Sequence, residues 1–149
     1  MDTASVLIGI FFLLLFIFPL AWITLKQFNF QKKQEQKIKK FGRQNDLNFT
    51  NLEINYWSFL GLDELNKKLI FGEIDSSENI QQLSIEEIQN SQVISNSDKV
   101  SEIKEIKIKL SGLFGVKEIL FYKDEAHISA DAAVYMHTAK KWLGYIQKA

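Results

Sequence analysis

Residues 6–23 read VLIGIFFLLLFIFPLAWI, an almost wholly apolar run in which no charge occurs between Asp2 and Lys26. About 22 helical residues, at roughly 1.5 Å each, cover the roughly 30 Å hydrocarbon core of a bilayer. We therefore predict one transmembrane helix over residues 4–25. The lipid bilayer is then the first partner of this chain.

A cleaved signal peptide is the competing interpretation of this run. It requires a basic start, a shorter apolar region and a cleavage site of small residues. This chain instead begins with Asp2 and has no basic residue before the run, and the bulky residues Trp22 and Ile23 follow Ala21. The pattern favours a retained anchor.

A basic juxtamembrane stalk follows at residues 26–45. Its seven basic residues, against the single acid Glu35, give a net charge of +6 (7 − 1). They are Lys26, Lys32, Lys33, Lys37, Lys39, Lys40 and Arg43. Because basic residues close to a span stay in the cytoplasm, we predict an inner-membrane protein with its N-terminus outside and its C-terminal domain in the cytoplasm. Helix-forming residues predict that the helix continues through the stalk, with Gly42 as a stop.

The stalk lysines have two interpretations. The favoured one is that they only fix the topology, because the apolar stalk residues form no continuous stripe that would press the helix onto a bilayer. The other is contact with anionic lipid headgroups, worth on the order of 1 kcal/mol per basic residue near the surface. The candidate lipid-headgroup contacts are Lys32, Lys33, Lys37, Lys39 and Lys40.

Residues 46–149 suffice for one small domain with a single core. Past Asn45 there are 11 basic and 16 acidic residues, a net charge of −5 (11 − 16). This balance argues against nucleic acid as a partner, because phosphate contacts require a basic surface. The absence of cysteine excludes disulfides and thiolate metal sites.

The hydrophobic period predicts about six short strands. Residues 56–62 and 68–74 form a hairpin around a turn at 63–66, and residues 75–79 form a second turn. Further strands lie at 80–85, 92–95, 103–110 and 118–122, with a helical turn or bulge at 85–88 and a turn at 112–115. The stretch 103–110 alternates most clearly, with Ile106, Ile108 and Leu110 on one face, as expected for a half-buried antiparallel strand.

The C-terminal stretch changes to helical spacing, with Ser129 as the predicted N-cap and Asp131 in the first turn. Its apolar face comprises Ala132, Tyr135, Met136, Ala139, Trp142, Leu143 and Ile146. The predicted fold class is therefore α+β: a transmembrane helix and stalk, then a bent antiparallel sheet or partly open barrel capped by a C-terminal helix. Trp142 is the large residue that closes the core.

This order of elements over residues 52–147, ending in Lys141-Trp142-Leu143, resembles a bacterial pleckstrin-homology-like domain. The whole chain is similar to small membrane-anchored proteins of Bacteroidetes-type bacteria. The resemblance implies a binding or scaffolding role more than catalysis. Phosphoinositide-binding members carry a basic cluster in the first hairpin loop, whereas this loop places Lys67 and Lys68 beside the acids Asp63 and Glu64.

No residue pattern indicates catalysis, a metal or a cofactor. His127 and His137 lie ten residues apart without convergent ligands, and Glu86 and Glu87 are adjacent, so their side chains usually point apart. The scattered glycines include no phosphate-binding loop. We expect a membrane-tethered interaction or scaffold module with a protein partner and no catalytic activity. The alternative is a binder of a small ligand or anionic lipid headgroups, and a small membrane hydrolase is the least favoured class.

The charge asymmetry gives a test of topology. A tag at the C-terminus should resist protease in intact right-side-out vesicles and be degraded only after permeabilisation, because six net positive charges follow the span. Degradation of the tag in intact vesicles would show that the orientation is reversed.

Overall fold

The computed structural model describes residues 3–74, 80–125 and 130–149, without the side chains of residues 3–5 and Gln27. The chain divides after Lys40 into two compact units. The first unit consists of the apolar helix and the stalk as far as Lys40. The second contains two antiparallel sheets and a C-terminal helix, which confirms the predicted α+β class.

Helix α1 runs from Thr3–Gln44, so the predicted span and stalk are one continuous helix. It is long and apolar enough to cross a membrane, and its large apolar side chains from Val6 to Leu25 are exposed. The helix ends two residues beyond the predicted stop at Gly42. Asp46 then adopts a left-handed conformation with φ of 54°, which turns the chain toward the first strand.

The first sheet has four strands in chain order: β1 (Asn51–Ile54), β2 (Ser58–Asp63), β3 (Lys68–Glu73) and β4 (Gln81–Ser84). The antiparallel pairing of β2 with β3 confirms the predicted hairpin, and β4 confirms the next short strand. The sequence pattern does not predict β1, so the described residues form seven strands and not six. The predicted turn at 75–79 lies outside the described residues.

The second sheet has three strands in chain order: β5 (Ile88–Ser95), β6 (Glu105–Gly112) and β7 (Gly115–Lys123). A 3₁₀ turn over Ile85–Glu87 precedes β5, which confirms the helical turn predicted there. The strand β5 begins four residues before the predicted start at residue 92. The alternation in β6 is as predicted, since its three apolar side chains are fully buried between partly exposed neighbours.

Helix α2 spans Ala132–Lys148. Its N-cap is Asp131, whose Oδ1 accepts a 2.8 Å hydrogen bond from the Ala133 backbone N–H. The predicted cap Ser129 lies outside the described residues, and Asp131 is not in the first turn as expected but directly before it. A carboxylate at this position satisfies a free amide and complements the positive end of the helix dipole.

Both sheets and α2 share one core in the second unit. The largest contributions come from Leu60, Leu62, Leu69, Phe71, Ile106, Ile108, Leu110 and Phe121. From α2, Ala139, Trp142 and Ile146 complete the core, and Trp142 is only 2% exposed. The predicted role of Trp142 in closing the core is confirmed.

The side chain of Phe49 occupies a slot between two glycines. A Cβ on Gly42 would lie 2.6 Å from Phe49 Cε2, and a Cβ on Gly61 would lie 2.9 Å from the same ring. Real Cβ atoms do not approach a ring so closely, so a Cβ at either position would force the Phe49 ring to move. The last turn of α1 is thus packed against strand β2 within the second unit.

Trp142→Ala should destabilise the domain by about 3–5 kcal/mol, because it deletes a large buried aromatic side chain. Val134→Ala on the same helix is the control, since Val134 is 59% exposed and should change stability by no more than about 0.5 kcal/mol. Chemical denaturation of residues 37–149 measures both. A loss below about 1 kcal/mol for Trp142→Ala would contradict its place in the core.

Gly42→Ala should destabilise the same fragment, although replacing glycine by alanine inside a helix ordinarily gains about 1 kcal/mol. The reason is the overlap with Phe49, and overpacking of this kind typically costs about 1–3 kcal/mol. Gly144→Ala in α2 is the matched control: its Cβ would meet nothing within 4 Å, so it should stabilise the domain. In a Phe49→Ala background the penalty at Gly42 should disappear. If both glycine variants are stabilising, the slot does not exist.

Candidate functional site

The outer edge of β5 is the first part of the candidate site. The strand β5 pairs with β6, and in the part of the chain that the structure describes no strand, turn or loop backbone bonds to its other side. An open edge presents a row of N–H and C=O groups that another strand can pair with. Proteins usually protect such edges with charges or proline. The β5 sequence IQNSQVIS contains neither.

The pairing of β5 with β6 is regular over most of the strand. An irregularity lies between Ile88 and Asn90, after which the register runs without a break from Ser91 opposite Leu110 to Ser95 opposite Ile106. A bulge increases twist locally and ends regular pairing. The stretch from Asn90 to the end of β5 therefore offers six residues in regular extended geometry.

A groove of about 330 Å³ lies between the start of β5 and the C-terminal end of α2. Its lining consists of Ile85, Ile88, Gln89, Asn90, Ser91, Ile146, Gln147 and Ala149. Ile85 and Ile146 are buried and form an apolar floor, while Gln89 and Asn90 are exposed at the rim. Gln147 Nε2 approaches Ser91 Oγ at 3.4 Å, which links the helix end to the strand. The groove is large enough for one side chain of a docked segment, with polar groups at its rim and apolar groups at its floor.

The five stalk lysines proposed as lipid contacts are all exposed, but they do not share one face of α1. At 100° per residue, Lys33, Lys37 and Lys40 lie on the same side, while Lys32 and Lys39 lie on the other. Lys39 Nζ bonds Glu35 Oε1 at 2.5 Å. Lys32 Nζ lies over the Phe28 ring at 4.7 Å from its centroid. The two lysines with a described partner, Lys32 and Lys39, thus lie away from the other three, for which no partner is found among the described residues.

The first hairpin loop is built around a buried carboxylate. Asp63 is fully buried and accepts hydrogen bonds from Asn66 N at 2.9 Å, Asn66 Nδ2 at 2.7 Å and Asn48 N at 2.8 Å. Burial alone would raise the pKa of Asp63, but these hydrogen bonds and one from the Leu65 backbone outweigh it and lower the pKa. Asp63 is thus a structural residue of the turn.

A second carboxyl group lies where β1 meets α2. Burial raises the pKa of Glu53, and a hydrogen bond from Trp142 together with the charge of Lys141 partly opposes this rise. The sequence pattern does not indicate a role for Glu53, because it does not predict the strand that carries this residue. Its hydrogen bond to Trp142 links β1 to the helix that closes the core.

The remaining candidate residues do not form a site. Glu86 and Glu87 lie in the 3₁₀ turn, both exposed, and Glu86 Oε1 is 3.6 Å from Lys67 Nζ. His137 is exposed on α2, and His127 lies outside the described residues. Among the described residues, no three His, Cys, Asp or Glu side chains converge in a way that could hold a metal ion.

No family model, no curated protein and no solved structure matches the chain.

Proposed function

We propose that the protein is a membrane-tethered interaction module that binds an extended segment of a partner protein by strand addition to β5. The observation that carries this proposal is the long, uncharged and open edge of β5 beside the groove at the end of α2. Strand addition needs an exposed sheet edge for the backbone and a pocket for an occasional side chain. The β5 edge and the groove supply these two elements next to each other.

The proposed location is the inner membrane, with α1 as the single span and the domain in the cytoplasm. The length and apolar character of α1 support a span. The seven basic residues after the apolar run and the lone Asp2 before it support the orientation. A tether of this kind confines the domain to the membrane surface, where its effective concentration toward other membrane proteins is raised.

We further propose that the domain is pleckstrin-homology-like, as the resemblance implies. Two features support this assignment: the sheets of four and three antiparallel strands follow each other in chain order, and the C-terminal helix closes their shared core. The first hairpin loop is not a basic cluster, because Lys67 and Lys68 stand beside the acids Asp63 and Glu64. The proposed binding surface is therefore the β5 edge and not that loop.

The proposed partner is an extended protein segment with one side chain that enters the groove. Backbone bonds to β5 require no particular residue type, so most of the affinity would be independent of sequence. Specificity would come from the side chain that reaches the floor formed by Ile85 and Ile146. The uncharged β5 side chains would neither attract nor repel charges on the partner.

A photo-crosslinking residue in place of Gln92 tests this proposal in the native membrane. The matched control is the same replacement at Gln82, because Gln82 and Gln92 are both exposed glutamines on outer strands. Gln92 lies on β5, whereas Gln82 lies on β4, which is only four residues long. We expect one defined protein adduct from position 92 and none from position 82. Equal adducts from both positions, or none from either, would argue against the proposal.

The mode of binding is tested with that protein once it is purified. Strand addition should slow amide hydrogen exchange at alternate residues of β5, because only every second N–H points to the open edge. Protection confined to α2, or spread evenly over both sheets, would indicate a different mode.

A further inference from the structure

One face of α1 combines aromatic and basic side chains at the end of the apolar run. Trp22, Lys26, Phe30 and Lys33 recur at spacings of four, four and three residues, which places them on the same side of a helix. They line a shallow groove together with Leu25 and Asn29. Trp22 is 63% exposed and Phe30 is 43% exposed, so both rings face the surroundings of the helix.

The charge of this face is not neutralised within the described residues. The single acid of the stalk, Glu35, lies on the opposite side and is bonded to Lys39. Neither Lys26 nor Lys33 has an acidic side chain within ion-pair distance in the described part of the chain. The ammonium groups of Lys26 and Lys33, two turns apart on one face, are therefore available to bind an anion.

Depth along the helix decides which lysines reach a bilayer. The helix rises about 1.5 Å per residue, so Lys26 lies about 1.5 Å beyond Leu25 along the helix axis and Lys33 lies about 12 Å beyond it. Lys37 and Lys40 are farther from Leu25, at about 18 and 22 Å along the axis. The headgroup layer adds about 5–7 Å on each side of the hydrocarbon core, and charges are screened over about 8 Å at physiological salt. Helical side chains also tilt toward the N-terminus, which brings the Lys33 ammonium back toward the headgroups.

We propose that Lys26, Asn29 and Lys33 bind the phosphate group of an anionic phospholipid, with Trp22 and Phe30 packed at the boundary between headgroup and acyl chain. The ammonium groups form charge-assisted hydrogen bonds with the phosphate oxygens, and the amide of Asn29 donates a further one. Aromatic rings favour this boundary because they are amphipathic. The site is separate from the β5 edge and rests on the proposed function only in that α1 crosses the membrane.

This assignment differs from the set of five lysines expected from the sequence. It keeps Lys33, adds Lys26 and leaves out the other four. Lys32 and Lys39 are on the wrong face, and Lys37 and Lys40 are too far along the axis. The distinction gives two double variants of equal charge: Lys26→Gln with Lys33→Gln removes the site, and Lys32→Gln with Lys39→Gln removes two charges from the other face.

The test uses the full chain reconstituted in phosphatidylcholine vesicles with spin-labelled phosphatidylglycerol or spin-labelled phosphatidylcholine as the probe. Electron spin resonance measures the fraction of each probe that is immobilised at the protein. We expect the natural protein to select phosphatidylglycerol over phosphatidylcholine by about threefold. At RT of about 0.59 kcal/mol this ratio corresponds to about 0.65 kcal/mol, which is less than the free energy of about 1 kcal/mol for one basic residue near an anionic surface. The site variant should lower this ratio to about one, and the control variant should leave it unchanged.

Several outcomes would overturn the site. An equal fall in both variants would mean that the lysines act as a diffuse charge, and a ratio of one for the natural protein would mean that no anionic lipid is selected. Retention of the ratio in the site variant would place the lipid contact elsewhere. Competition by millimolar inorganic phosphate would show that a free anion, and not a lipid, is the ligand. Release of the chain from vesicles by alkaline carbonate is a separate result, because it would contradict the membrane span itself.

Discussion

The second unit depends on the burial of two small sheets against each other under one helix. A sheet that is apolar on one face must bury that face against another element. Here the two inner faces share a single core, and Trp142 with Ala139 and Ile146 completes it from α2. The position of α2 in turn creates the groove beside β5, so the candidate binding surface follows from the way the core is closed.

Periodicity predicted the elements that bury one face. Ile106, Ile108 and Leu110 alternate with charged residues, and this pattern fixed both the strand β6 and its orientation. By contrast, β1 has the sequence NLEI, in which polar and apolar residues alternate over only four positions, all of them half-buried. It is a strand because β2 provides a partner for it, and Glu53 is held by Trp142 of the distant C-terminal helix. Such tertiary contacts leave no local signal in the sequence.

The candidate site was predictable only in part, for a related reason. A strand edge is open when no other strand pairs with it, and this depends on the tertiary structure. The residues of β5 themselves do not indicate that its outer side is unpaired. The sequence identified the lysines of α1 as candidate contacts. Their division into two faces, however, depends on α1 being one unbroken helix over Thr3–Gln44. The pairing of Lys39 with Glu35 then follows from their spacing of four residues.

The strand order has a consequence for how the domain forms during synthesis. In both sheets each strand pairs with its neighbour in sequence, so every hairpin can close as soon as its second strand has left the ribosome. The core, however, stays open until α2 arrives, and α2 follows all seven described strands. A nascent chain would therefore hold two formed meanders with exposed apolar faces for the time needed to translate the 20 or so residues that complete α2, about one to four seconds.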